Sequence, residues 1–376
     1  MKTISPLESR VTYAEIDLPA IAHNLQEIKK RVAAARVMAV VKANAYGHGV
    51  EQVAKVAVEQ KVDYFGVALV EEGIQLRELG ITQPILVFGG FFEDQIADFL
   101  RHDLDFTVYD RHSARVLSQR ARRAGKTAGV HVKIDTGMGR VGAPWQETSE
   151  LVSALTELGH IRISGIYTHL SSADEADPAY SKIQLARFKN IIVDLEDRSI
   201  TVPLKHAANS GAVLNLTESY FDMVRPGVSL YGYYPAGETA KSLPLKPAMS
   251  LKSRVIFTKE VEKDTFISYN RTYQTVRNTT IATVPIGYAD GYNRSLSSRG
   301  EVLIRGRRFP LVGRVCMDQI MVDVGPGSEI VAGDEVVLLG RQGNEEITIY
   351  EICQKLNTIP YEVTCWVSGR VPRVYK

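Results

Sequence analysis

Eight short apolar runs, most of them followed by a stretch of helical periodicity, constrain this chain more than any other feature. They are RVMAVVK (36–42), DYFGVAL (63–69), PILVFG (84–89), LDFTVY (104–109), GVHVKID (129–135), RISGIYTH (162–169), PLKHAAN (203–209) and MVRPGVSLYG (223–232). The amphipathic stretch Leu18–Val32 places Ile21, Leu25 and Ile28 on one helical face. Stop signals follow several such stretches, at Gly80, Gly125 and Gly159. Eight β segments alternating with helices predict an α/β fold, a (β/α)8 barrel of the TIM type. A doubly wound sheet is the alternative, because periodicity alone does not close a barrel.

Beyond about residue 240 the rhythm changes. A turn-rich bridge, PAGETAKSLPLKPAMS, leads into closely spaced β-like runs: SLKSRVIFTKEV, TIATVPIGY, EVLIRGRRFPLVGRVCM, QIMVDVG and DEVVLLG. Helical pattern is nearly confined to TIYEICQKL (348–356). The expected division is a barrel over residues 10–243 and a mostly β C-terminal domain over 244–376, which the first few N-terminal residues are free to join.

Bulk properties exclude several function classes. A formal net charge of +2 over 376 residues leaves no footprint for nucleic acid or an anionic membrane. No run of 18 apolar residues is present, and the N-terminus lacks an apolar signal core, so a cytoplasmic protein is expected. Cys316, Cys353 and Cys365 are too few for a disulfide framework or a zinc cluster and read as reduced, with no metal expected.

The most informative segment is VVKANAYGHG (40–49), where an apolar run delivers Lys42 to its carboxyl end and a small-residue loop follows. Active sites of barrels lie at that end of the strands. A partly buried lysine with a lowered pKa suits Schiff-base chemistry, although position alone also describes a surface lysine just past a strand.

These residues resemble the cofactor-lysine motif of alanine racemases, a barrel-plus-β-domain family of pyridoxal-phosphate enzymes. KIDTGMGRVG (133–142), YTHLSSAD (167–174), VRPGVSLYG (224–232) and PIGYADG…GRVCMDQ (285–319) match in order, and YEVTCWVSGRVPRVY (361–375) also fits. The resemblance therefore spans nearly the whole chain. It implies that Lys42 holds the cofactor and that Ser210, Gly227 and Val228 cradle its phosphate, with hydroxyls from Tyr46 and Tyr361. The segment ANSG is also a plausible plain helix cap. Arg225 is implied to face the pyridine nitrogen, supported from behind by His169, although a structural ion pair is its ordinary reading. Arg140 matches the residue that bonds the cofactor's phenolic oxygen and the substrate carboxylate. Lys133 matches a lysine that many members carbamylate. Left bare beside Arg140 it forms a repelling pair, so some neutralisation is expected.

Racemisation needs a base on each face of the substrate Cα. ISYNRTYQT (267–275) supplies Tyr269, nineteen residues before Tyr288, as in the family. Tyr273 is the rival if the register differs. The family usually has glycine where Asn270 stands, and asparagine tolerates the positive φ such a turn demands. Met317 matches a backbone donor to the substrate carboxylate, with Asp318 organising its loop. Tyr288 and Tyr361 narrow the entry, and Asp174 and Arg314 lie further out. The implied assembly is a homodimer in which the β domain of one chain completes the barrel site of the other.

The implied activity is interconversion of L- and D-alanine, supplying D-alanine for bacterial peptidoglycan. Alternatives are a serine or broad-spectrum racemase, a decarboxylase of similar architecture and a non-catalytic single-barrel cofactor binder. Decarboxylases use a CDG-like loop where CMDQ stands here. Single-barrel binders lack a C-terminal β domain.

Overall fold

A computed structural model describes residues 10–237, 239 and 241–376. They form two compact units: Ala20–Lys246, and the described residues up to Pro19 together with Pro247–Lys376.

In the first unit all eight expected strands are present, each shorter than its apolar run except the fifth. After the chain's first strand β1 (Tyr13–Ile16) come β2 (Arg36–Val40), β3 (Tyr64–Val67), β4 (Ile85–Val87), β5 (Phe106–Val108) and β6 (Ala128–Asp135). The two-residue β7 (Ala143–Pro144) flanks β6, and β8 (Ile161–Tyr167), β9 (Leu204–His206) and β10 (Met223–Val224) follow. Strands run parallel in the orders β10-β2-β3-β4 and β5-β6-β8-β9. A bridge between Leu86 and Asp105 joins β4 to β5. At the other seam Arg225 donates its backbone N–H to Ala208 at 2.9 Å and Asp222 to Lys205 at 3.0 Å. Because β10 returns to β2, the sheet closes into a barrel and the doubly wound alternative falls.

Two expected strands run too long. The eighth ends at Val224, because Pro226 brings no N–H and Val228–Tyr231 then winds into a 3-10 turn. The seventh stops at His206, ahead of the helix Ser210–Asn215. Helix Leu18–Val32 buries Ile21, Leu25 and Ile28, as its periodicity requires. Gly80 and Gly125 take left-handed φ of 80° and 64° at their helix ends, whereas near Gly159 it is His160 that does so, at 63°.

In the second unit β1 pairs antiparallel with Met249–Arg254 and parallel with Arg373–Tyr375. Glu335–Gln342, Glu301–Ile304 and Arg307–Pro310 extend that sheet, while Phe257–Val261, Thr279–Val284 and Ile320–Gly325 make a second one. The long run from 301 breaks into a hairpin at Arg305 and Gly306, both at positive φ. Helix Ile349–Leu356 is present as expected, and Pro360–Trp366, opened by a proline, is a helix that the β-rich pattern concealed. Among the described residues no helix is long and apolar enough to cross a membrane.

Phe106 is fully buried, stacks on Phe99 at 4.3 Å and meets Phe91 edge-on at 5.0 Å. Phe106→Ala should cost about 3–5 kcal/mol of barrel stability, read from urea unfolding. A loss below about 1 kcal/mol would mean that this aromatic cluster contributes little to the packing.

Candidate active site

Lys42 opens a turn whose hand is unusual. Ala43, Asn44 and Ala45 have φ of 54°, 52° and 54° with ψ near 50°, and Tyr46 has φ 52°. Ala43–Tyr46 is therefore one left-handed turn of residues that are not glycine, which costs about 1–2 kcal/mol for each. Its surroundings hold it there. The Glu72 carboxylate accepts from Ala43 N–H at 2.6 Å with one oxygen, and from Ala68 and Leu69 N–H at 2.8 and 3.1 Å with the other. Asn44 Oδ1 accepts from Val50 N–H at 2.8 Å, and Tyr231 donates its hydroxyl to Val40 C=O at 3.0 Å.

Beside β2 the two last strands end in a cradle. Asn209 caps the helix that begins at Ser210 by accepting from Ala212 N–H, so the plain cap reading of this segment is correct as far as it goes. Ser210 Oγ also lies 2.8 Å from Gly227 N, 3.3 Å from Ser229 N and 3.1 Å from Ser229 Oγ. A Cβ on Gly227 would lie 2.5 Å from the Tyr46 hydroxyl, so only glycine lets that ring approach. Ser210, Gly227, Val228 and Tyr46 thus converge.

Arg225 is 4% exposed. It donates to His206 Nδ1 at 2.9 Å, to Thr168 C=O at 2.6 Å and to Ala207 C=O at 3.1 Å. The support expected from His169 therefore comes from His206, a residue that had seemed only part of a strand end. His169 instead approaches Asn209 Nδ2 at 3.5 Å. No carboxylate pairs with Arg225 among the described residues, so the ordinary ion-pair reading fails.

Positive charge accumulates around it. Lys133 is 5% exposed, lies 5.2 Å over the Tyr167 ring and donates to Ile134 C=O at 3.1 Å. Burial first, then Arg225 and Arg140, bring its pKa down to about 7, against the pull of Asp135. Asp135 is itself engaged by the N–H groups of Gly137, Met138 and Gly139, which shapes the loop carrying Arg140. His169 falls well below the usual imidazole range through desolvation and the charges of Arg225, Lys133, Arg140 and Lys42. Burial lowers Arg225 only to about 10, so it stays protonated near neutral pH.

The second unit holds the remaining candidates. Tyr269 is 68% exposed and sits among strained residues. Ser268 has φ 67° and ψ −173°, a region populated almost only by glycine, and Asn270 has φ 61°. Asn270 thus does adopt the left-handed conformation where the family has glycine. Tyr273 approaches Asp323 at 3.4 Å, and burial together with that carboxylate raises its pKa, which keeps its phenol protonated. Met317 and Tyr288 are exposed, and Asp318 ties its loop to Arg370 at 2.7 Å.

The sequence matches the family described as alanine racemase, N-terminal domain, over residues 16–235 and that described as alanine racemase, C-terminal domain, over 248–375. The chain belongs to the alanine racemase family. A curated relative from Caldanaerobacter subterraneus, named alanine racemase 2, is 48% identical over 98% of this chain and 95% of its own. An alanine racemase structure from Clostridium difficile superposes with a TM-score of 0.93 at 41% identity, covering 98% of this chain and 96% of that one. One from Bartonella henselae, described with covalently bound pyridoxal phosphate, gives 0.88 at 28% identity over 97% and 99%. The chain is accordingly a pyridoxal-phosphate-dependent amino-acid racemase.

The racemase's own residues fit that cofactor. The cradle of Ser210, Gly227 and Val228 offers hydroxyl and backbone donors to a phosphate. A set of cations that depress one another needs an anionic guest with more than one negative group.

Lys133 yields a pH prediction. Its folded pKa lies below its unfolded value, so at neutral pH the native state binds fewer protons than the unfolded one. The penalty is complete below pH about 7 and fades as pH rises toward the unfolded value near 10.5. Lys133→Met should therefore gain stability over the parent at low pH and lose that advantage in alkali, in carbonate-free buffer. A pH-independent difference would contradict this reading of its burial.

Proposed function

We propose that this racemase interconverts L- and D-alanine with two bases, Lys42 and Tyr269, on opposite faces of the substrate Cα. The observation that carries the reading is the set Lys42, Lys133, Arg140 and Arg225, gathered where β2, β6 and β10 end and unanswered by a carboxylate at Arg225. Pyridoxal phosphate, when bound, draws electron density from the amino acid and makes its Cα hydrogen acidic. Lys42 Nζ takes or returns that proton on one side, and Tyr269 Oη does so on the other. Arg140 and the Met317 N–H hold the substrate carboxylate and so fix the Cα between the two bases. Tyr288 and Tyr361 close the pocket around a one-carbon side chain. Arg225 cannot accept a proton, so it donates toward the pyridine nitrogen without letting the ring become a full electron sink, which disfavours transamination. The names of the curated relatives do not favour serine or a broad substrate range.

Ser210, Gly227, Val228 and Tyr46 hold the phosphate, together with Tyr361 from a second copy. Lys42 and Arg225 belong to one unit of the chain, and Tyr269 and Met317 to the other. We place them in one site by pairing two copies in a two-fold dimer, each β unit serving the other copy's barrel. The exposure of Tyr269, Tyr288 and Met317, all large and partly apolar, supports a face meant for another surface. Three free thiols suit a cytoplasmic location.

Lys133 completes the site by taking up carbon dioxide. Its amine, deprotonated in a substantial fraction near neutral pH, bonds to the carbon and releases a proton to solvent, leaving a carbamate anion beside Arg140. Carbon-13 bicarbonate should give a carbamate resonance that Lys133→Met abolishes, and a bare ammonium in the parent enzyme would refute the modification.

Incubated with L-alanine deuterated at Cα, in ordinary water, the enzyme should release deuterium and yield D-alanine. Lys42→Ala and Tyr269→Phe should each lose at least about 100-fold in kcat. Mixed under subunit exchange, these two inactive variants should recover part of the activity. Dimers shown to be mixed but still inert would place each site within a single chain.

A further inference from the structure

The interior of a (β/α)8 barrel is ordinarily filled by branched apolar side chains. Here a line of buried polar groups runs through it. Arg225 Nη1 lies 2.9 Å from His206 Nδ1, and His206 Nε2 lies 2.9 Å from His131 Nδ1. His131 Nε2 points at Asp105 Oδ2 from 3.6 Å and has no nearer acceptor among the described residues. The same oxygen accepts from the Tyr64 hydroxyl at 2.7 Å. His131 and His206 are fully buried, and Asp105 is 8% exposed. Arg225 follows β10 at the carboxyl end of the barrel, whereas Tyr64 opens β3 and Asp105 immediately precedes β5. The line therefore spans the barrel lengthwise.

Its direction is forced. Arginine only donates, so His206 Nδ1 must accept and its proton sits on Nε2. His131 Nδ1 must then accept in turn, which makes His131 neutral with its proton on Nε2, facing Asp105. Burial raises the Asp105 carboxyl, but His131, Tyr64 and the charge of Arg162 outweigh it, and the group ends below its usual pKa as an acceptor-only carboxylate. Every member thus has one permitted role.

The barrel makes room for this line at two glycines. A Cβ on Gly129 would lie 2.0 Å from Asp105 Oδ1, and one on Gly165 would lie 2.6 Å from His131 Nδ1. Tyr167 stacks parallel to His206 at 4.9 Å and holds its plane, while its own hydroxyl is fixed 2.8 Å from Thr107 Oγ1.

We propose that Asp105 is a positioning residue for the racemisation, acting through His131 and His206 to orient the Arg225 guanidinium from the far end of the barrel. Arg225 fixes the histidine tautomers, and the carboxylate holds His131, and through it His206, in the orientation that offers the guanidinium its one acceptor. This rests on the reading that Arg225 faces the cofactor ring.

The test uses protein labelled with nitrogen-15 histidine, both cofactor-free and as holoenzyme. In the parent protein His131 and His206 should both appear as neutral Nε2–H tautomers in either state. A proton on Nδ1 of His206, or an imidazolium at His131, would overturn the relay, and no variant is needed to see it. Asp105→Asn keeps the shape and removes the charge. It should shift both imidazole signals and lower kcat about tenfold with KM for alanine held within about twofold. Unmoved signals, an unchanged kcat or a rise in KM alone would each overturn the assignment. The imidazole signals of the cofactor-free protein judge the relay by itself, whereas failure of the parent enzyme to racemise alanine would sink the reading of the site.

Discussion

Cationic groups collected in a protein interior repel one another, and this chain tolerates that cost at the place where its chemistry occurs. Lys133 and Arg225 are both nearly inaccessible, and each lowers the proton affinity of Lys133 or His169. Among the described residues the carboxylate that acts on Lys133 is that of Asp135, and it is engaged by three backbone N–H groups of its own turn. A protein built for stability alone would pair such charges or replace them with apolar side chains. The arrangement becomes favourable when a phosphate, a phenolic oxygen and a carboxylate enter together. Affinity for an anionic cofactor and amino acid thus follows from a charge imbalance built into the barrel.

Backbone strain is placed with the same economy. Lys42 immediately precedes a left-handed turn of non-glycine residues, and Tyr269 lies between Ser268 and Asn270, both at positive φ. Each such residue costs of order 1–3 kcal/mol and persists only where surrounding contacts over-determine it. Around Lys42 those contacts are Glu72, Asn44 and Tyr231. Around Tyr269 they include the Ser268 hydroxyl, which donates to Arg314 C=O at 2.9 Å. Both proposed bases are therefore aimed by backbone that would relax if left to itself. Aim matters because a proton is exchanged with a single carbon from two opposite directions.

The fold was legible because β and helical periodicities are local. The eight apolar runs located eight strands, and only the fold's closure needed the pairing of β10 with β2. Where the reading overran, at 223–232, the cause was a proline followed by a 3-10 turn whose residues, VSLY, are as apolar as a strand. The hidden helix Pro360–Trp366 has β-branched and aromatic residues that favour strands in isolation. The candidate site was read from glycine-rich and lysine-bearing motifs, whose loops with positive φ allow few residue types. His206, His131, Asp105 and Tyr64 were not, since each lies in an ordinary strand or strand edge with no local signature. Their contacts join residues 26 to 75 positions apart in sequence, and one histidine in an apolar run looks like any other.

That difference bears on how Arg225 is controlled. A carboxylate in direct contact would anchor the guanidinium, but it would also place a negative charge beside the cofactor ring and favour protonation of the ring nitrogen. The histidine pair transmits orientation without delivering that charge. His206 is kept neutral by burial and by Arg225 itself, so what faces the guanidinium is a lone pair rather than an anion. The anion stands two imidazoles away at the opposite end of the barrel, where Tyr64 and Arg162 stabilise it. Interaction between unit charges weakens with separation. A line of buried groups with fixed donors and acceptors preserves direction over the same distance. Two glycines and a stacked tyrosine keep the chain in register, which is why a polar line can occupy a barrel interior otherwise reserved for apolar side chains.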